Sequence, residues 1–169
     1  MTSYVALLRA VNVGGTGKLP MSELRVLCEA AAFKEVRTYI ASGNVVFQSR
    51  ASERDVKGAL ENRLLDYFGK SVNVMIRTSA EMVAIVKANP FPGGAPNRTV
   101  AIFLDDPPPS DTLDGLVGQS FEEVQLGKRE VYIHYGSRMA DSKLKIAAAR
   151  TGTARNMNTV ARLASMATG

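Results

Sequence analysis

The sequence has one cysteine, Cys28, one histidine, His134, and no tryptophan among its 169 residues. A single cysteine excludes an internal disulfide and every metal site built from several thiolates. A single histidine excludes the zinc and iron sites that need several imidazoles. Any metal site would have to use carboxylates, and we predict that the chain has neither a metal nor a cofactor.

Long apolar runs are also missing. Residues 4–8 form an apolar run of five that no basic segment precedes, which is too short for a signal peptide. No stretch approaches the roughly 18 apolar residues of a membrane span. Because 46% of the residues are hydrophobic and 22% are charged, the chain can still build a globular core. We therefore expect a cytoplasmic protein that does not contact a membrane and keeps Cys28 reduced in its core.

The charge is unevenly distributed, although the net value is only +5. Residues 1–89 carry 12 basic and 8 acidic groups, residues 90–134 carry 3 and 7, and residues 135–169 carry 6 and 1. The basic C-terminal stretch could bind phosphates or an acidic partner, or it could neutralise the acidic middle of the same chain. The sequence leaves these alternatives open.

The first half predicts a ferredoxin-like arrangement. Residues 4–9 are typical of a strand, and a glycine-rich segment then leads to a helix that Pro20 opens. Two strands follow at 36–40 and 44–48, around a turn at 41–43. A helix that Ser52 caps and a strand at 72–76 complete the order βαββαβ, which is an antiparallel four-stranded sheet with helices on one face.

The second half predicts a partial repeat of that order. It has a helix that ends at Asn89-Pro90, a strand at 99–104, a short helix at 110–117, a hairpin at 122–126 and 130–134, and helices at 142–150 and 156–166. The predicted class is therefore α+β, with two ferredoxin-like (βαββαβ-type) halves with antiparallel sheets, plus C-terminal helices. The halves cover residues 1–77 and 78–169 and form one compact unit.

Several motifs resemble a bacterial family known as domain of unknown function (DUF) 1697. They are Tyr4-Val-Ala-Leu-Leu-Arg9-Ala-Val-Asn12-Val-Gly14-Gly15, Leu19-Pro-Met, Thr38-Tyr-Ile-Ala-Ser42-Gly43-Asn44-Val-Val-Phe47, Asn89-Pro-Phe91, Ser142-Lys143-Leu144 and Thr153-Ala-Arg155-Asn156-Met-Asn158-Thr159-Val160. The family pattern usually has Trp where this chain has Met157. The resemblance implies ferredoxin-like halves and a small cytoplasmic protein, and it implies no activity.

The glycine-rich segment 12–18 invites comparison with a phosphate-binding P-loop, because Gly17-Lys18 lies between a strand and a helix. Asn12 replaces the first glycine, however, and Leu19 replaces the hydroxyl residue that would bind magnesium. A nucleoside triphosphatase is therefore not expected. The segment could still bind an anion through backbone N–H groups and Lys18, or it could simply be a tight connection.

Complete catalytic sets are not visible, so the sequence leaves open whether the protein is an enzyme. His134 lacks a placed nucleophile, and Cys28 lies on the apolar face of a helix. An RNA-recognition sheet needs aromatic residues on its central strands, where this chain offers only Tyr4 and Phe47.

The segment 153–159 has the strongest polar character. Thr153 or Asn156 could cap the following helix, while Arg155 has the forked guanidinium that suits a phosphate or carboxylate. We predict that this segment and the earlier motifs meet in a cleft between the halves that binds an anionic, phosphorylated or nucleotide-like small molecule. The predicted ligand-binding residues are Arg9, Asn12, Gly14, Gly15, Lys18, Ser42, Asn44, Lys143, Arg155 and Asn156. A nucleic-acid-associated protein and a protein-interaction module without a ligand are the alternatives.

Overall fold

The computed structural model describes residues 1–13 and 17–169. Contacts divide the chain into unit 1, Met1–Val83 with Leu163–Gly169, and unit 2, Ala84–Arg162. The strands are β1 (Thr2–Leu8), β2 (Lys34–Thr38), β3 (Asn44–Ser49), β4 (Val74–Thr78), β5 (Thr99–Phe103), β6 (Glu123–Leu126), β7 (Glu130–His134) and β8 (Thr153–Asn156). The helices are α1 (Met21–Ala30), α2 (Glu53–Phe68), α3 (Ser79–Lys87) and α4 (Met157–Thr168).

Unit 1 contains a four-stranded sheet in the order β2-β3-β1-β4, with antiparallel pairing throughout. Side chains alternate between the two faces of a strand, so Tyr4, Ala6 and Leu8 lie on one face of β1. These three residues form a core cluster with Leu24 of α1 and Leu60 of α2. The expected ferredoxin-like half, with both helices on one face of the sheet, is therefore present.

The opposite face of this sheet is buried as well. Val5, Leu7 and Met75 are 0% exposed, and Arg77 is 1% exposed. The C-terminal segment Leu163–Gly169 belongs to this unit, where the Ser3 hydroxyl donates to the Ala167 carbonyl (2.8 Å) and the Arg37 guanidinium donates to the Met166 carbonyl (2.7 Å). The two ends of the described chain are thus tied to the same sheet.

Local sequence explains the longest helix. The Ser52 side chain accepts a hydrogen bond from the Asp55 N–H, as the predicted cap requires. Val56, Leu60 and Leu64 recur every four residues and are buried. Gly69 ends the helix in the left-handed region, with φ of 71°, which glycine adopts without steric penalty.

Unit 2 repeats the sheet order of unit 1, as β6-β7-β5-β8. Leu8 N–H donates to the Gly43 carbonyl and Leu104 N–H donates to the Arg129 carbonyl, both at 2.9 Å, at corresponding ends of β1 and β5. The last strand of each sheet also carries a buried arginine, one residue before its end, that donates to the preceding carbonyl. These arginines are Arg77 in β4 and Arg155 in β8.

Two predicted helices of the second half were wrong, and one strand was missed. The helix expected at 110–117 is a single 3-10 turn, Thr112–Gly115. The helix expected at 142–150 is absent, because Lys145 forms an antiparallel bridge with Val117 and only Ala147–Ala149 makes a 3-10 turn. Residues 153–156, which were expected to lie at or just before the start of the last helix, form a strand that was not predicted, β8, because pairing with β5 satisfies their backbone groups. In the described parts of the chain, each helix is too short or too polar to cross a bilayer.

Candidate functional site

The side-chain amide of Asn12 joins two loops of unit 1. Its nitrogen donates to the carbonyls of Leu19 (2.8 Å) and Ala41 (2.7 Å), and its oxygen accepts from the Leu19 N–H (2.6 Å). The Asn12 N–H also donates to the Gly17 carbonyl (3.1 Å). We call the segments that this amide joins, residues 9–13, 17–19 and 39–44, the Asn12 loops. Asn12 therefore fixes both ends of the glycine-rich segment.

Asn44 holds the second of these loops. It is completely buried, and its amide nitrogen donates to the Tyr39 carbonyl (2.9 Å) and to the Ser42 hydroxyl (2.8 Å). Gly43 has φ of +88°, and a Cβ atom there would lie 2.6 Å from Val11 Cγ2. A side chain at this turn would therefore collide with the neighbouring loop, which explains the glycine.

Backbone strain is concentrated in the same place. Five non-glycine residues in the described ranges have positive φ, and three of them, Ala10 (58°), Asn12 (57°) and Ile40 (48°), lie in the Asn12 loops. The left-handed region is a genuine outlier for a β-branched residue such as isoleucine. Ile40 is also 50% exposed, so burial of its side chain does not account for the strain.

The cations predicted for this region are on the surface. Arg9 and Lys18 both reach solvent, and they flank the glycine-rich segment in the sequence. Gly14 and Gly15 lie outside the described residues. Unit 1 therefore connects three of the predicted residues, Asn12, Ser42 and Asn44, through hydrogen bonds within and between these loops. Lys18 precedes Leu19, which Asn12 binds, and the Arg9 N–H donates to the Asn73 carbonyl (3.0 Å).

In unit 2, the segment with the strongest polar character has structural partners. The Asn156 side-chain oxygen accepts from the Thr159 N–H (3.0 Å), which is the capping interaction considered above for α4. Arg155 is 7% exposed and donates to the Thr153 hydroxyl (2.6 Å) and to the Ala154 carbonyl (2.9 Å). Burial lowers the pKa of Arg155 to about 10.

Ser142 is held by Glu122, and Lys143 is exposed next to it. The Ser142 hydroxyl donates to one carboxylate oxygen of Glu122, and the Ser120 N–H donates to the other (2.7 Å). The bond from Ser142, and then that from Ser120, lowers the pKa of the Glu122 carboxyl. The sequence pattern predicts that Ser142-Lys143 opens a helix and does not single out Glu122, because no local pattern reveals a partner 20 residues away.

The predicted binding residues thus divide between the two units. Lys143, Arg155 and Asn156 belong to unit 2, and the other predicted residues that the structure describes belong to unit 1. The idea that one cleft unites all of them stays a prediction. Ala10 and Ile40 are the strained residues of the Asn12 loops that the sequence did not identify, because hydrophobic periodicity carries no information on φ.

The single cysteine and histidine do not form catalytic pairs in the described ranges. Cys28 is completely buried, and burial raises the pKa of its thiol to about 12, so the reactive thiolate is suppressed. His134 Nδ1 lies 2.9 Å from the Thr99 hydroxyl, and its ring lies 5.9 Å from that of Phe91. Among the described residues, no three His, Cys, Asp or Glu side chains converge as a metal site requires.

Comparisons with known proteins agree with this fold and name no activity. A family model described as "Protein of unknown function (DUF1697)" matches residues 1–132. Among solved structures, the chain is similar to the conserved bacterial protein SP0830 from Streptococcus pneumoniae, with 25% sequence identity, a TM-score of 0.82 and 98% of each chain covered. A search of curated proteins found no match.

Proposed function

Because this chain belongs to the DUF1697 family, whose description names no activity, we propose a function from its geometry: it binds a small anionic molecule at the Asn12 loops of unit 1. The observation that carries the proposal is the strain at Ala10, Asn12 and Ile40 in two loops that one amide joins. Each such residue costs on the order of 1–3 kcal/mol, and strain of this kind clusters at ligand-binding sites.

The charges of these loops suit an anion. Arg9 offers a planar fork of N–H donors, and Lys18 offers a mobile point charge; both side chains reach solvent. Phosphate groups are bound well by this combination, because charge-assisted hydrogen bonds are stronger than neutral ones. A phosphorylated or nucleotide-like molecule is therefore the ligand class that we propose.

The sequence pattern predicted that Asn12, Ser42 and Asn44 contact the ligand, whereas this proposal assigns them to holding the loops in place. Their side chains already hydrogen-bond to the protein, and Asn44 is completely buried. They support the ligand by fixing the loops before it arrives, which lowers the entropic penalty of binding. Arg155 and Asn156 are likewise assigned to the stability of unit 2.

The proposal can be tested by thermal unfolding with inorganic phosphate, pyrophosphate and ATP as separate probes. A probe at 100 times its Kd stabilises the folded state by about 2.7 kcal/mol. For a chain of this length, the expected increase in Tm is about 5–10 °C. Lys18→Gln should reduce the increase, whereas Lys34→Gln, which alters an exposed lysine at the start of β2, should not.

Two results would contradict the proposal. One is the absence of stabilisation by every probe, and the other is equal loss of stabilisation in both lysine variants. Binding of a single-stranded RNA oligonucleotide that weakens steeply with salt, without binding of the small probes, would instead favour a nucleic-acid-associated protein.

A further inference from the structure

A second candidate site lies in unit 2, in a cavity of about 350 Å³. Among the described residues, its lining combines two cationic side chains, apolar side chains and a glycine, and includes no Asp or Glu. The lining residues are Gly115, Val117, Lys145, Ile146, Ala147 and Arg150. Small-molecule sites have this character, with an apolar surface and a few polar groups that orient the ligand.

The walls of this cavity are held by backbone hydrogen bonds. Val117 N–H donates to the Lys145 carbonyl (3.1 Å), and Lys145 N–H donates to the Val117 carbonyl (2.7 Å). Residues that face each other in an antiparallel bridge direct their side chains to the same side. An apolar side chain and a cation are therefore fixed beside each other.

Glu122 strengthens this arrangement from outside the cavity. Its carboxylate accepts hydrogen bonds from Ser120, which is three residues after Val117, and from Ser142, which is three residues before Lys145. Both segments of the bridge are thus tied to one buried side chain. The cavity is preorganised, which reduces the entropic penalty of binding a ligand.

Exposed apolar residues on the same segment also point to a ligand. Val117 is 62% exposed and Leu113 is 39% exposed, so neither contributes its full side chain to the core. Ile146, which also lines the cavity, is half-buried and packs against the core cluster of unit 2. A molecule with an apolar body would bury part of the exposed surface of Val117.

We propose that this cavity binds a small organic anion in which a phosphate or carboxylate is joined to an aromatic or aliphatic group. Lys145 and Arg150 bind the anionic end, and Val117 contacts the apolar body. The residues concerned do not overlap the Asn12 loops, so this site is independent of the function proposed above.

The test uses 1-naphthyl phosphate as the probe, with inorganic phosphate and 1-naphthol as its separate halves. Binding is followed by backbone amide shifts in ¹H–¹⁵N NMR spectra of the full chain. We expect saturable shifts at Gly115, Val117, Ile146 and Ala147, with an affinity at least about tenfold higher than for either half.

Variants identify the groups responsible. Lys145→Gln and Arg150→Gln should each raise the Kd of 1-naphthyl phosphate about fivefold, the effect expected from losing an exposed ion pair. Lys128→Gln, which alters a lysine outside the cavity, should leave the Kd unchanged. Val117→Ser should weaken the binding of 1-naphthyl phosphate without changing that of inorganic phosphate. This comparison of two probes on one variant remains valid even if Lys145→Gln proves less stable.

Other outcomes would overturn the proposal. They are shifts that are absent or spread over both units, equal affinity for 1-naphthol, or unchanged affinity in all three cavity variants. Shifts confined to residues near Lys18 would also overturn it, while supporting the site at the Asn12 loops. Binding of an acidic peptide without binding of 1-naphthyl phosphate would overturn it too, and would identify the cavity as a protein-docking surface.

Discussion

Replacing Asn12 with alanine should destabilise unit 1 more than the same replacement of a half-exposed loop residue normally does. The change removes all three side-chain hydrogen bonds that connect Asn12 to Leu19 and Ala41. It also leaves alanine at φ near 57°, a conformation that asparagine tolerates better. The two effects are separable, because glycine at the same position loses the bonds and keeps the conformational freedom.

The expected magnitude follows from these contacts. Each hydrogen bond contributes about 0.5–1.5 kcal/mol, and the lower end applies because water can reach part of the Asn12 side chain. Three bonds therefore account for about 1.5–2 kcal/mol. The left-handed conformation adds about 1 kcal/mol for alanine. We expect a loss of about 2.5–3 kcal/mol for Asn12→Ala and a loss about 1 kcal/mol smaller for Asn12→Gly.

Urea unfolding followed by circular dichroism measures both losses from the shift in midpoint. Asn62→Ala, which removes an amide from α2, is the matched control and should change stability by less than about 0.5 kcal/mol. A loss for Asn12→Ala within that same range would refute the stabilising role of its three hydrogen bonds. Equal losses for Asn12→Ala and Asn12→Gly would show that the left-handed backbone contributes nothing.

Three further predictions concern other parts of the chain. Ile40→Asn should raise the Tm by about 2–4 °C in thermal unfolding, because asparagine relieves about 1 kcal/mol of left-handed strain at an exposed position. The same substitution should weaken the binding of any ligand at the Asn12 loops. Cys28 should react with iodoacetamide at pH 8 only after unfolding. Burial raises the pKa of its thiol from 9.0 to about 12, so the free energy of unfolding should fall as pH rises from 9 towards 12. Ser142→Ala should reduce stability at pH 7 and have progressively less effect as pH falls through the folded pKa of Glu122, because the lowered pKa of that carboxyl stabilises the folded state only while it is ionised.

Each of these predictions can be contradicted by a specific result. A fall in Tm for Ile40→Asn would show that the isoleucine side chain packs usefully despite its exposure. Labelling of Cys28 within minutes in the folded protein would contradict its burial. Ser137→Ala, at an exposed position in the same unit, should not reproduce the pH dependence of Ser142→Ala. If it does, the effect does not arise from the hydrogen bond to Glu122.

Unit 1 could be predicted because its signals are local. The apolar residues Val56, Leu60 and Leu64 recur at helical spacing behind the capping residue Ser52, and Gly43 marks the turn between two β-rich segments. Such patterns constrain the backbone directly, so the order of elements followed from the sequence. Strand ends moved by about two residues, because pairing across the sheet decides where a strand stops.

The errors in unit 2 arise from contacts between distant residues. Ala147, Ala148 and Ala149 favour a helix by propensity, but pairing of Lys145 with Val117 imposes an extended backbone before them. β8 has only four residues, and its partner β5 lies about 50 residues earlier in the chain. Tertiary pairing therefore overrides local preference at both places.

The candidate site was predictable only in part. Asn12, Ser42 and Asn44 were selected as polar residues near glycines, and the structure brings them together in unit 1. The sequence could not show that the amides of Asn12 and Asn44 bind the backbone instead of pointing to solvent. It also could not reveal the left-handed conformation of Ile40, since that conformation is a property of the closed loops.

The chain leaves unit 1 after Val83 and returns to it only at Leu163. During synthesis at about 5–20 residues per second, roughly 4–17 s pass between the end of β4 and the appearance of that returning segment. The contacts of Ser3 and Arg37 with Ala167 and Met166 therefore cannot form until that segment has been synthesised. A chain synthesised only as far as β4 would therefore hold four N-terminal strands whose second face still lacks the contacts of Ala167 and Met166.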